Sequence, residues 1–168
     1  IPKRQRPGVS FQFFLPDFMG YAPQNYTSMF DPHEVNVVEL QPADPRDIEP
    51  GAVGEYPPNM RKRSLSRLLD THTAQIMYGL TCYQFARQAP ETDNEFMCFG
   101  RDAKAGNNYV MLDVSLPPYE RWVKFPLMQA RYFTPRYGGL RIVWRTEARN
   151  FPKWQEIDAQ VWKFVKEW

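Results

Sequence analysis

Seven stretches of the chain carry the apolar and β-branched character of strands: Val9–Leu15, Val35–Leu40, Gln75–Phe85, Glu95–Arg101, Asn107–Val114, Leu127–Phe133 and Leu140–Thr146. Gly, Pro, Asp and Asn turns separate the later five, and their short connections favour antiparallel neighbours. In the last stretch Leu140, Ile142 and Trp144 fall on one side, with Arg141, Val143 and Arg145 on the other. That alternation predicts one buried face and one half-solvated face. Gly138–Gly139 reads as the hairpin turn that feeds this strand.

The period changes to 3.6 in two places. Ser64 has the character of an N-cap opening a short helix to about Thr71, with Leu65, Leu68 and Leu69 as its apolar stripe. The C-terminal segment is the clearer case. Asn150 reads as the cap and Pro152 as part of the first turn, and the helix is expected to run to about Glu167. Trp154, Ile157, Val161, Val165 and Trp168 form its apolar stripe, while Lys153, Glu156, Asp158, Gln160, Lys163 and Lys166 are assigned mostly to the other side. Burial of each large apolar side chain contributes about 1.5–3 kcal/mol, enough for the stripe to anchor the helix across a sheet. The tryptophans on it are therefore read as core.

The segment 1–58 differs from the rest. Prolines recur through it from Pro7 to Pro58, each removing a backbone donor and fixing φ, which excludes long helices. Interleaved Phe18, Tyr21, Tyr26 and Phe30 argue for an ordered, extended segment that wraps around a sheet-and-helix core over 59–168. The expected fold is one α+β domain spanning 1–168. It consists of an antiparallel β-sheet of about five to seven strands, packed by the short helix and by the C-terminal amphipathic helix.

At 168 residues the chain is long enough for a single core that buries about 70% of its unfolded surface. Twelve Phe, nine Tyr and five Trp supply large rings for that core and for binding surfaces. A net charge of +2 gives no general pull toward a polyanion, so nucleic acid is not an expected partner. No apolar run is long enough for a transmembrane helix. The chain starts at Ile1, and loss of a preceding signal peptide or membrane anchor is the expectation.

Cys82 and Cys98 sit at mirrored positions about the polar loop Gln88–Thr92. If Gln88 faces Thr92, the antiparallel register sets Tyr83 opposite Met97 and Cys82 opposite Cys98, within reach of a disulfide. Such a bridge closes a loop of about 15 residues and stabilises by about 3 kcal/mol in the chain-entropy account. It also belongs to an oxidising compartment. The alternative, two buried free thiols in a cytosolic protein, stays open at this point.

Catalytic constellations are hard to assemble from this sequence. Two isolated histidines, His33 and His72, have no Cys-x-x-Cys or His-Glu-x-x-His context, so no metal site is expected. Gly8-Val9-Ser10-Phe11-Gln12 lacks the second glycine of a nucleophile elbow. Ser66, Asp70 and His72 are sequence neighbours, which is not the geometry of a triad. No glycine-rich phosphate loop occurs, so no cofactor is expected. Asp44, Asp47 and Glu49 lack calcium-loop spacing, and Asn25-Tyr26-Thr27 matches a glycosylation acceptor only as a common chance pattern.

Surface chemistry is richer. Arg61, Lys62, Arg63 and Arg67 concentrate positive charge at the start of the short helix, where the helix dipole disfavours it, and suit an acidic partner or a solvated turn. Tyr119, Arg121 and Trp122 follow Pro117-Pro118, and Arg136 with Tyr137 repeats the same aromatic and basic mix. These residue types are enriched where protein interfaces concentrate their binding energy. Each loop can equally pack on its neighbours.

The C-terminal third carries a resemblance. Trp122-Val-Lys-Phe-Pro-Leu-Met-Gln-Ala-Arg131, Tyr137-Gly-Gly-Leu-Arg-Ile-Val-Trp-Arg145 and Trp154-Gln-Glu-Ile-Asp-Ala-Gln-Val-Trp162 are similar to segments of immunity proteins that accompany type VI secretion toxins, notably antibacterial lipase effectors. The resemblance implies a periplasmic, non-enzymatic protein that binds a cognate toxin, such as a phospholipase, and occludes its active site. An envelope hydrolase using His33 or His72 and an accessory component of a secretion or envelope assembly are the rival expectations.

Overall fold

The fold is taken from a computed structural model, which describes residues 8–20, 22–24, 31–43, 69–86, 94–104, 106, 108–118, 126–134 and 136–167. Nine strands are described: β1 (Val9–Phe14), β2 (Met19–Gly20), β3 (Glu34–Pro42), β4 (Leu69–Met77), β5 (Leu80–Phe85), β6 (Glu95–Asp102), β7 (Asn108–Ser115), β8 (Leu127–Thr134) and β9 (Leu140–Glu147). They form one sheet in the order β2-β1-β3-β9-β8-β7-β6-β5-β4. Every pairing in it is antiparallel. A 3₁₀ turn, Ala148–Lys153, leads into the helix α1 (Trp154–Glu167). The α+β class stands, with more strands than the sequence predicts.

The two extra strands are β2, in the proline-rich segment, and one gained from a hidden turn. β1 and β3 are built into the sheet beside β9, so the described part of 1–58 extends the sheet. The stretch Gln75–Phe85, read as one strand, is a hairpin: β4 and β5 meet at Tyr78 and Gly79, both with positive φ (48° and 82°). Such a two-residue turn matches the right-handed twist of its strands, and glycine takes its second position without steric cost. The short helix expected to reach Thr71 is also corrected. Leu69 pairs with Phe85 and Asp70 with Gln84 as the start of β4, while 61–68 lie outside the described residues. Ladder pairing with β5 outweighs the local helical period there.

One row of side chains crosses the sheet from Cys82 through Cys98, Leu112, Ala130, Trp144 and Val37 to Phe11. With their same-face neighbours Leu80, Val110, Met128, Ile142 and Phe13, these residues are almost all fully buried. α1 lies on this face. Its buried residues are Trp154, Ile157, Asp158, Val161, Trp162 and Val165, a wider stripe than the sequence suggests. Two assignments change accordingly: Trp162 joins the core, and Asp158 moves to the buried side, where its Oδ1 accepts a 2.8 Å hydrogen bond from Trp144 Nε1. The indole of a central strand residue thus carries its own polar partner on the helix.

Asn150 does not cap the helix. Its buried Nδ2 donates to Pro32 O (2.7 Å) and Thr146 Oγ1 (2.9 Å), and Thr146 Oγ1 donates to Glu34 O (2.7 Å). This knot ties the entry of β3 to the exit of β9, and the 3₁₀ turn begins earlier, after Glu147.

Candidate functional site: surfaces at the turns and at the sheet edge

Cys82 and Cys98 are disulfide-bonded, and both are fully buried under α1. The register is the one read from the sequence, Cys82 opposite Cys98 and Tyr83 opposite Met97. The bridge fixes β5 to β6 next to the β4–β5 turn.

Of the residues expected to meet a partner, Arg61, Arg63, Tyr119, Arg121 and Trp122 lie outside the described residues. Arg136 and Tyr137 are described, and the structure gives them different roles. They sit in a 3₁₀ turn, Arg136–Gly138, between β8 and β9, closed by Gly139 N donating to Arg136 O at 2.9 Å. The Arg136 guanidinium is engaged within the molecule. It donates to Gly106 O (3.0 Å) and stands 5.4 Å from the Trp162 ring centroid, a cation–π distance. Residue 106 has φ +85°, a backbone conformation that glycine adopts without strain. Tyr137 is left projecting, 66% exposed, with φ +53°. The turn is thus tied back through Arg136 and presents one exposed aromatic ring.

His33 and His72 are exposed, and the nearby carboxylates are used by backbone amides: Asp31 Oδ1 accepts from His33 N (2.8 Å) and Asp70 Oδ1 from His72 N (2.9 Å). Both are local Asx turns. Ser66, Asp44, Asp47, Glu49 and Asn25–Thr27 lie outside the described residues.

Sequence reasoning missed a groove of about 490 Å³ where β1, β2 and β3 meet the C-terminal end of α1. Val9, Phe11, Phe18, Met19, Leu40 and Phe164 make it apolar, and Gln12, Gln160 and Glu167 edge it. Phe164 packs edge-on against Phe11 (5.1 Å) and tilted against Phe13 (5.8 Å). Met19 is 63% exposed. Aromatic residues around Phe11 and Phe18 are visible in the sequence, but nothing local marks them as the wall of a groove.

The face away from α1 is mixed. Met97, Phe99, Tyr109, Met111 and Val143 are buried there, yet it also carries ion pairs: Arg131 Nη2 to Asp113 Oδ2 (3.3 Å) and Arg141 Nε to Glu39 Oε2 (3.2 Å). Asp113 Oδ1 is shut off from solvent with no hydrogen-bond partner among the described residues. Burial pushes the Asp113 carboxyl above its ordinary range, against the opposing pull of Arg131 and with a smaller push from Glu95. Burial likewise raises Glu34, opposed by its hydrogen bond with Asn36.

Among the described residues no helix is long and apolar enough to cross a membrane, and no group of His, Cys, Asp and Glu side chains is placed to hold a metal. Comparison with protein-family models, with curated proteins and with solved structures finds no match to this chain.

Proposed function

We propose that this chain is an immunity protein of the bacterial periplasm that binds a cognate antibacterial secreted toxin and blocks it sterically. The observation that carries the reading is the Tyr137 turn. An exposed aromatic ring on a mount already fixed by Arg136, Gly106 and Trp162 loses little freedom on binding, which is the economy that interface anchors exploit. The buried Cys82–Cys98 bridge suits an oxidising compartment such as the periplasm. The resemblance of the C-terminal third to immunity proteins of lipase effectors supplies the class of partner, an envelope-attacking enzyme such as a phospholipase.

Affinity capture of the full chain from the periplasm of its native host, followed by mass spectrometry, tests the reading. A single stoichiometric toxin-like enzyme is expected. Tyr137→Ala should weaken its capture by about thirtyfold, the effect of losing one anchor of about 2 kcal/mol. Recovery of secretion or envelope assembly components, or capture indifferent to Tyr137, would count against it.

A further inference from the structure

We propose that the sheet end carrying the β4–β5, β6–β7 and β8–β9 turns is one interface, which seats two tyrosine rings, Tyr78 and Tyr137, on an acidic surface of the partner protein. It rests on the protein-binding reading above and adds to it a second anchor and the charge of the surface bound. In an antiparallel meander alternate turns fall at the same end of the sheet, so these three share one rim. α1 runs along it. Trp154 Nε1 donates to Tyr78 O at 2.9 Å, Glu156 Oε1 stands 3.9 Å from Lys104 Nζ in the middle turn, and the Arg136 guanidinium lies over the Trp162 ring at 5.4 Å. Trp154 and Trp162 are eight positions apart, which sets the two tyrosine turns roughly 12 Å apart along the helix. The three strand spacings from β5 to β8 give a similar separation, roughly 14 Å.

Both rings stand where a turn has no conformational use for them. Tyr78 (φ 48°) and Tyr137 (φ 53°) occupy the left-handed region, each followed by a glycine that also has positive φ (82° and 79°). Asn or Gly is the ordinary occupant there, since a bulky side chain crowds its own backbone. Burial does not explain the choice: Tyr78 meets Phe151 edge-on and is still 55% exposed, and Tyr137 is 66% exposed. Phe18, the third non-glycine residue with positive φ among those described, is the contrast, for its ring is half-buried and packs on Phe13. A conformational cost kept at two exposed tips of one rim, and not offset by burial, belongs to a surface that makes contact. Ile76, 73% exposed and two residues before Tyr78, widens the first tip.

Charge selects the partner. In the turn residues 78–79, 103–107 and 135–139 the charged side chains are Lys104 and Arg136. On α1, Gln155 lies against Gly79 and Trp162 against Arg136, so the side facing the turns continues to the exposed Lys163 and Lys166. Asp102 is buried, with Oδ1 accepting from Lys104 N, and the exposed acid set against these four cations among the described rim residues is Glu156. The complementary face is therefore rich in carboxylates. Two rings held at a fixed separation match discrete pockets of a folded partner, whereas a lipid surface gains nothing from fixed spacing.

The test immobilises the full chain, Tyr78→Asn, Tyr137→Asn and a combined Lys104→Gln, Lys163→Gln, Lys166→Gln variant, exposes each to periplasmic extract of the native host, and quantifies the retained toxin-like enzyme by mass spectrometry. Urea unfolding of each variant is measured alongside. Asn suits both turns, so the two tyrosine variants should unfold at midpoints equal to or above that of the parent. Each should lower retention about tenfold, and the lysine variant should do the same with a loss that shrinks in about 1 M salt. A midpoint that falls in Tyr78→Asn as far as in Trp154→Ala overturns the proposal by giving the ring to the fold. Enzyme retained equally by Tyr78→Asn and the lysine variant overturns it while the immunity reading stands. Binding to phosphatidylglycerol vesicles that the same variants abolish overturns it in favour of a membrane. An extract that yields no enzyme fails the immunity reading itself and takes this inference with it.

Discussion

At the β4–β5 end of the sheet the Tyr78–Gly79 turn is clasped from above: Phe151 stacks edge-on to Tyr78 at 4.9 Å, Trp154 Nε1 donates to Tyr78 O at 2.9 Å, and the Cys82–Cys98 bridge lies beneath. At the β1–β2 end the helix arrives with Phe164 over Phe11 and Phe13 but leaves a groove of about 490 Å³ and a two-residue edge strand. One helix therefore closes one end of the sheet with its first turn and stops short of closing the other. The difference is one of how much apolar surface the helix covers at each end. The clasped end holds the fold through Trp154 and Phe151, although Tyr78 and Ile76 stay exposed there, and the other end keeps an apolar groove beside α1.

Substitutions at the clasped end should have the largest effects. Trp154→Ala removes a fully buried ring together with its hydrogen bond to the turn, and a loss of about 3–5 kcal/mol is expected in urea unfolding. Replacing Cys82 and Cys98 together by Ala should cost about 3 kcal/mol, because the bridge spans 16 positions, and should leave a variant whose unfolding midpoint no longer responds to reductant. A loss near zero would remove the bridge from the account of that end.

A smaller effect concerns pH. Asp113 and Glu34 have carboxyl pKa values raised by burial, so the folded chain holds more protons than the unfolded chain between the unfolded and folded values. Stability contributed by these groups is present at low pH and falls as pH rises upward from about 4. Asp113→Asn should flatten that fall, measured as unfolding midpoints across the acid range. A slope unchanged in the variant would deny Asp113 the raised value.

The smallest effects belong to the open end. Met19→Ala should change stability by no more than about 0.5 kcal/mol, as expected of an exposed side chain. A loss comparable to that of Trp154→Ala would show that the open end supports the fold as strongly as the clasped one does.

Much of this was legible in the sequence where the information is local. The strand character of 95–101, 107–114, 127–133 and 140–146 places β6 to β9 within a residue or two, and the mirrored cysteines fix the β5–β6 register. Turn chemistry was legible at Gly138–Gly139 but hidden at Tyr78–Gly79, because the apolar run continues across it. The exposed Tyr137 lies in a turn that the sequence singles out, whereas the groove depends on six residues from separate elements.

Alternation, turn residues and helical spacing are properties of neighbours along the chain, and they determined the antiparallel meander, the disulfide and the C-terminal helix. Partner choice between distant segments determined the rest. That β3 lies beside β9, that Asp158 faces Trp144, that Asn150 ties β3 to β9, and that the helix stops short of the sheet edge all depend on how far elements reach across one another once packed. No local pattern encodes such distances, because they arise from the joint packing of segments far apart along the chain.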